Sequence, residues 1–197
     1  MISTLHRMPR SETLPLDIGP SKWHCQKHGG HRHPLRPEPW LIWLDDAASE
    51  MHYAAALIET WLRGGLEIGG RHQRVKPSDI AVLYPRRRPD AAVTALCDRL
   101  NVFTRVVLPA GDKPTGTLRD EAVKILPMHS ARGLQFRIVV LLWVDQLSSP
   151  FRSRNDSIDR GLLYVAMTRA EDMLVILHSG SSSYVEELYR ALGTGPP

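Results

Sequence analysis

The chain has 197 residues, 43% of them hydrophobic and 23% charged, which is enough to bury one core and ordinary for a globular protein. Its formal charge of +4 and pI near 9.3 permit acidic partners without requiring them. Two cysteines, Cys25 and Cys97, give no disulfide framework, the N-terminus has no apolar signal core, and the longest apolar run, "IVVLLWV", is too short for a bilayer. A cytoplasmic chain with no membrane partner is expected.

Residues 1–44 are expected to form an irregular arm, dense in proline and holding five of the nine histidines in the first 40 positions. Its "KWHCQKHGGHRH" offers His24, Cys25, His28, His31 and His33. Zinc sites draw two short ligand pairs across a longer loop, and the second pair is absent, so a histidine-rich linker without metal is expected.

Residues 45–197 should form one domain. "DDAASEMHYAAALIETWLRGG" sets Ala47, Met51, Ala54, Ala55, Ile58, Trp61 and Leu62 on one helical face, stopped by Gly64 and Gly65. "DIAVLY" (79–84) reads as a buried strand. "PDAAVTALCDRL" (89–100) reads as a helix opened by proline and aspartate, with Ala92, Val93, Leu96, Cys97 and Leu100 inward. "VFTRVVL" is a strand candidate and "AGDKPTGTLRDE" a loop. Strands "VKILPM" (123–128), "RIVVLLWV" (137–144) and "MLVILHS" (173–179) follow, with a helix around "SIDRGLLYVAMTRA" before the last. "SYVEELYRALG" closes the chain as a helix. Strands apolar on both faces and separated by helices predict an α/β domain with a mainly parallel sheet covered on both sides. Ligands of such a sheet are expected at the carboxyl ends of its strands.

Two stretches imitate phosphate chemistry. "GGLEIGGRH" (64–72) has glycine spacing, but Arg71 and His72 stand where a phosphate loop needs Lys and Ser/Thr, so a helix-stop loop is the better reading. "IVVLLWVDQ" ends on Asp145 like a magnesium-bearing strand, yet no phosphate loop precedes it. No intrinsic metal site is expected.

"VKILPMHSARGLQFRIVVLL" and "DRGLLYVAMTRAEDMLVIL", in that order, resemble motifs V and VI of the C-terminal motor domain of UvrD/Rep-type superfamily 1 DNA helicases. "PSDIAVLYPRRR" is similar to the strand that opens the later part of that domain. The resemblance covers about residues 46 to 192 and implies a RecA-like (P-loop NTPase-type) three-layer fold. It implies that Arg169 is an arginine finger for the γ-phosphate, that Gly133 lets the backbone approach the nucleotide, and that Gln135 takes the place of a ribose-binding glutamate. It implies DNA-backbone contacts from His129, Ser130 and Arg132. One of Arg86, Arg87 and Arg88 is a further candidate for the nucleotide. Tyr164, Val165 and Met167 read as core.

The same resemblance implies ATP with Mg2+ only in the presence of a P-loop-bearing first motor domain, in trans or missing from the chain, with single-stranded DNA as the other partner. Pro127 stands for the motif V threonine and Gly161 for the second arginine of motif VI. Residues 85 to 122 leave no room for a large accessory insertion. These departures keep open a non-catalytic module that binds DNA or a helicase partner, or a degenerate remnant.

Overall fold

The computed structural model describes residues 39–68, 70–85, 90–109, 116–148 and 156–193. Six strands form one parallel sheet: β1 (Trp40–Trp43), β4 (Ile80–Tyr84), β5 (Val106–Val107), β6 (Val123–Pro127), β7 (Phe136–Leu141) and β8 (Ala170–His178), in the order β1-β8-β7-β4-β6-β5. Every neighbouring pair is parallel. This is the α/β three-layer arrangement expected of a RecA-like domain.

The central strands are apolar on both faces because both faces are covered. Ile80, Val82, Ile125, Ile138, Val140 and Val175 point into one core with helices α1 (Ala47–Gly64) and α2 (Ala91–Asn101). Ala81, Leu83, Leu126, Val139, Leu141 and Ile176 point into the other, with α3 (Asp156–Met167) and α4 (Ser183–Ala191). Each fully buried side chain of this kind contributes roughly 1.5–3 kcal/mol relative to exposure. Helices α1, α2 and α4 start where short polar side chains take their free amides: Asp46 from Ser49, Asp90 from Ala92 and Val93, and Ser182 from Val185. Burial pushes the Cys97 thiol up to about 11, so it stays protonated as a core side chain.

Several expectations change. The arm was expected to extend to residue 44, but Trp40–Trp43 pairs in register with Val175–His178 as an edge strand. Four residues are too short to show a period, and the neighbouring prolines hide the strand. Residues 1–38, with the histidine cluster, lie outside the described residues, as do Arg86, Arg87 and Arg88. "GGLEIGGRH" does stop α1 at Gly65, but it continues as a hairpin of β2 (Leu66–Ile68) and β3 (Arg71–Gln73). At Gly65, φ is +77° and a Cβ would lie 2.6 Å from the Gln73 carbonyl, so only glycine fits.

The strand expected to reach residue 144 ends at Leu141, and Trp143 takes φ +55°, rare for a bulky residue. The buried Glu50 carboxylate holds it, accepting from the Trp143 amide at 2.7 Å, while the indole Nε1 donates to Ala47 at 3.0 Å.

Candidate functional site

The segment Met128–Phe136 connects the carboxyl end of β6 to the amino end of β7, crossing over β4. It begins as a single 3-10 turn, Met128–Ala131, whose Met128 and Ala131 are buried against the second core. His129, Ser130, Arg132, Gly133 and Gln135 are all exposed. His129 and Ser130 therefore follow the carboxyl edge of the sheet, whereas Gly133 and Gln135 arrive at its amino edge. The turn closes with the Leu134 amide on the Ala131 carbonyl at 3.2 Å. Gly133 has φ +76° and nothing within 4 Å of where a Cβ would stand, so glycine is needed for conformation and the space beside it is open.

Arg169 enters the same amino edge from the other side. α3 ends at Met167 because Thr168 and Arg169 turn their side chains back onto its last carbonyls. Thr168 Oγ1 donates to Val165 at 2.9 Å, and Arg169 Nε donates to the same carbonyl at 3.0 Å. A cation at a helix carboxyl terminus also faces the negative end of the helix dipole. Arg169 Nη1 donates to the Leu134 carbonyl at 3.0 Å and Nη2 to Thr168 Oγ1 at 3.1 Å. The Phe136 amide returns a bond to the Arg169 carbonyl at 2.9 Å. Arg169 and the Gly133–Gln135 turn are thus fastened together by one side-chain and one backbone bond. A guanidinium has five N–H donors and these contacts use three, so two remain for an anion.

The expected carboxyl-edge location does not hold for this group: Arg169, Gly133 and Gln135 gather at the amino ends of β7 and β8. The reason is the short crossover, which carries one turn of chain from one edge to the other without a helix between. Tyr164 is not core either. It is 68% exposed, on the outward arc of α3 with Arg160 and Gly161. Val165 and Met167 are half-buried. Asp145, half-buried, accepts from the Ser179 amide at 3.4 Å and lies beside Gly180. Among the described residues no group of three or more His, Cys, Asp or Glu could hold a metal ion, and no helix is long and apolar enough to cross a membrane.

Residues 91–181, which hold both motif stretches and the whole amino-edge group, match the family model of the UvrD-like helicase C-terminal domain. Over that span, a little under half of the chain, the protein is similar to the UvrD-like helicase C-terminal domain. The ATP-dependent DNA helicase PcrA of Staphylococcus aureus is 36% identical over 89 residues, which are 42% of this chain and 12% of that helicase. A probable DNA helicase II homolog of Mycoplasma pneumoniae is 35% identical over 66 residues, 30% of this chain and 9% of that protein. The chain therefore spans only a small part of the curated relatives it matches. In fold, the chain is similar to the crystal structure of the C-terminal domain of a possible DNA helicase from Lactobacillus plantarum. The TM-score is 0.52 at 20% identity, covering 80% of this chain and 84% of that one.

Three polar centres gave no clear signal in the sequence. Arg137, inside the apolar run "RIVVLL", donates from Nε to Asp172 at 2.8 Å and lies 3.3 Å from Asp79. Lys124 is buried in β6, its ammonium donating to the carbonyls of Asp120 and Ala122; burial lowers its pKa. His178, 1% exposed at the end of β8, meets the Gly180 carbonyl at 3.0 Å and the Tyr189 hydroxyl at 2.9 Å. A charged residue interrupting an otherwise apolar strand was the available signal for Arg137 and Lys124. It marks a buried partner without saying which one.

Proposed function

We propose that this chain is the second motor domain of a UvrD/Rep-type, ATP-dependent 3′-to-5′ DNA helicase, needing a P-loop domain from elsewhere for hydrolysis. The observation that carries this reading is the fastening of Arg169 to the Gly133–Gln135 turn at one edge. It gathers a fixed guanidinium with spare donors, an open glycine surface and an exposed carboxamide.

Each part suits a nucleotide held by a facing domain. The planar fork of the guanidinium matches phosphate oxygens. Because Val165, Leu134 and Thr168 hold it, little ordering cost remains when an anion arrives. Gln135 can accept from a ribose hydroxyl through its carboxamide oxygen, as glutamate does in the family it resembles. Gly133 leaves room for close backbone approach. The nucleotide and its Mg2+ would bring the reacting phosphate; this chain's residues bind, orient and stabilise charge. His129, Ser130 and Arg132 are proposed to meet the sugar-phosphate backbone of single-stranded DNA, contacts that carry no base preference. The direction of travel rests on the resemblance.

The test is ATP hydrolysis, with and without single-stranded DNA, by this chain mixed with a P-loop-bearing first motor domain. DNA-stimulated hydrolysis that needs both parts and is lost in Arg169→Ala supports the reading. Hydrolysis by the chain alone, indifferent to Arg169→Ala, would defeat it. A docking module is the second reading, favoured by the fact that Arg169 also caps α3. Such a module would hold its partner whether or not Arg169 is present.

A further inference from the structure

Arg169 immediately precedes the first bridge between β7 and β8, Phe136↔Ala170, and that bridge is out of step with the rest of the ladder. The next pair is Ile138↔Met173, so Glu171 and Asp172 of β8 oppose Arg137 alone. An extra residue of this kind bends the strand and re-aims what lies beyond it, and it is uncommon between parallel strands. The backbone ladder is interrupted there, so something else has to fix the angle at which β8 starts.

Arg137 occupies that position. Its Nε donates to Asp172 Oδ2 at 2.8 Å, across the irregularity itself. Nη1 faces Asp79 Oδ2 at 3.3 Å and the Arg74 carbonyl at 3.4 Å, and Nη2 donates to Gln73 Oε1. Asp79 is itself immobilised, because the same carboxylate accepts from the Lys76 amide at 2.9 Å in the turn before β4. The guanidinium therefore ties the irregular start of β8 to β3 and to the lead-in of β4. Both carboxylates are more than two-thirds covered, with exposures of 19% for Asp79 and 31% for Asp172, so the pairing is less screened than a surface one. One residue away, the Phe136 amide holds the Arg169 carbonyl.

We propose that Arg137 is a positioning residue for Arg169: through Asp172 it sets the bulge that aims the Arg169 turn toward the nucleotide side. Its catalytic meaning rests on the function proposed above, while its geometric content does not.

The geometric test is amide hydrogen exchange in the full chain, read at Phe136, Val140 and Val175. Arg137→Gln should speed exchange of the Phe136 amide at least about tenfold, leaving the paired core residues Val140 and Val175 within about twofold. Asp172→Asn should do the same more weakly, and Arg137→Lys, which keeps the charge without the fork, should rescue only part. Exchange rising equally at all three sites would make Arg137 a general brace and overturn the proposal, as would an unchanged Phe136. Mixed with a P-loop motor domain, Arg137→Gln should lower kcat for ATP with KM little changed. If Phe136 loosens but Arg169→Ala leaves turnover intact, the finger assignment fails and the positioning geometry stands. If Arg169→Ala abolishes turnover while Arg137→Gln does not reduce it, the positioning proposal fails alone.

Discussion

Arg169 Nη1 donates to the backbone carbonyl of Leu134 at 3.0 Å, joining two residues 35 positions apart in the chain. That bond makes one site of two motifs. It also holds the guanidinium by an uncharged carbonyl oxygen, so this bond does not offset its positive charge.

Arg169→Ala should reduce turnover of the assembled motor by about a thousandfold, the scale of arginine-finger losses. Arg169→Lys should recover little, because a compact ammonium lacks the planar fork whose separate nitrogens reach Val165 and Leu134. Steady-state ATP hydrolysis with saturating single-stranded DNA checks both, and near-normal activity in Arg169→Lys would count against a fork-dependent role.

Gly133→Ala separates conformation from crowding. No atom lies within 4 Å of the new Cβ, but φ of +76° is costly for alanine, about 1–2 kcal/mol. A lowered thermal midpoint with the fold retained is expected, together with weaker nucleotide contact in the assembled motor. Unchanged stability would mean that the turn relaxes to negative φ.

Glu50→Ala should be among the most damaging single changes outside the site. It leaves the Trp143 amide without the carboxylate that accepts from it at 2.7 Å and opens a buried gap, together costing about 2–4 kcal/mol. Glu50→Gln keeps an acceptor and should cost less. Urea unfolding of the two variants measures the difference, and equal losses would assign the effect to charge instead of to the amide bond.

Stability should fall in mild acid through His178. Burial holds its pKa below the ordinary histidine value, against the opposing pull of the Gly180 carbonyl and the Asp145 carboxylate. Below about pH 6.5, the unfolded chain therefore binds a proton that the folded chain resists. The contribution of His178 is complete above that pH and is lost as pH drops through the folded value. The thermal midpoint of the wild type should decline over this window, and His178→Gln should flatten that part of the curve. An identical pH slope in the variant would place the titrating group elsewhere.

The periods of "AAVTALCDRL" and "SYVEELYRALG", the apolar runs of β4, β6, β7 and β8, and the two motif stretches were legible without coordinates. Each is a local property, set by which side chains one helix or strand must bury. The α/β class with a parallel sheet followed from the periods and apolar runs, whereas the short list around Arg169 and Gly133 was implied only by the resemblance of the motif stretches. Tertiary structure alone decided that Trp40–Trp43 joins the sheet beside β8, that Tyr164 faces outward, and that the Arg169 group sits at the amino edge. It alone paired Arg137 with Asp172 and Asp79, and His178 with Tyr189. Those outcomes depend on strand order and on a register step between distant segments. A side chain's distant partner is chosen by how the whole sheet packs, and no spacing along the chain records that choice.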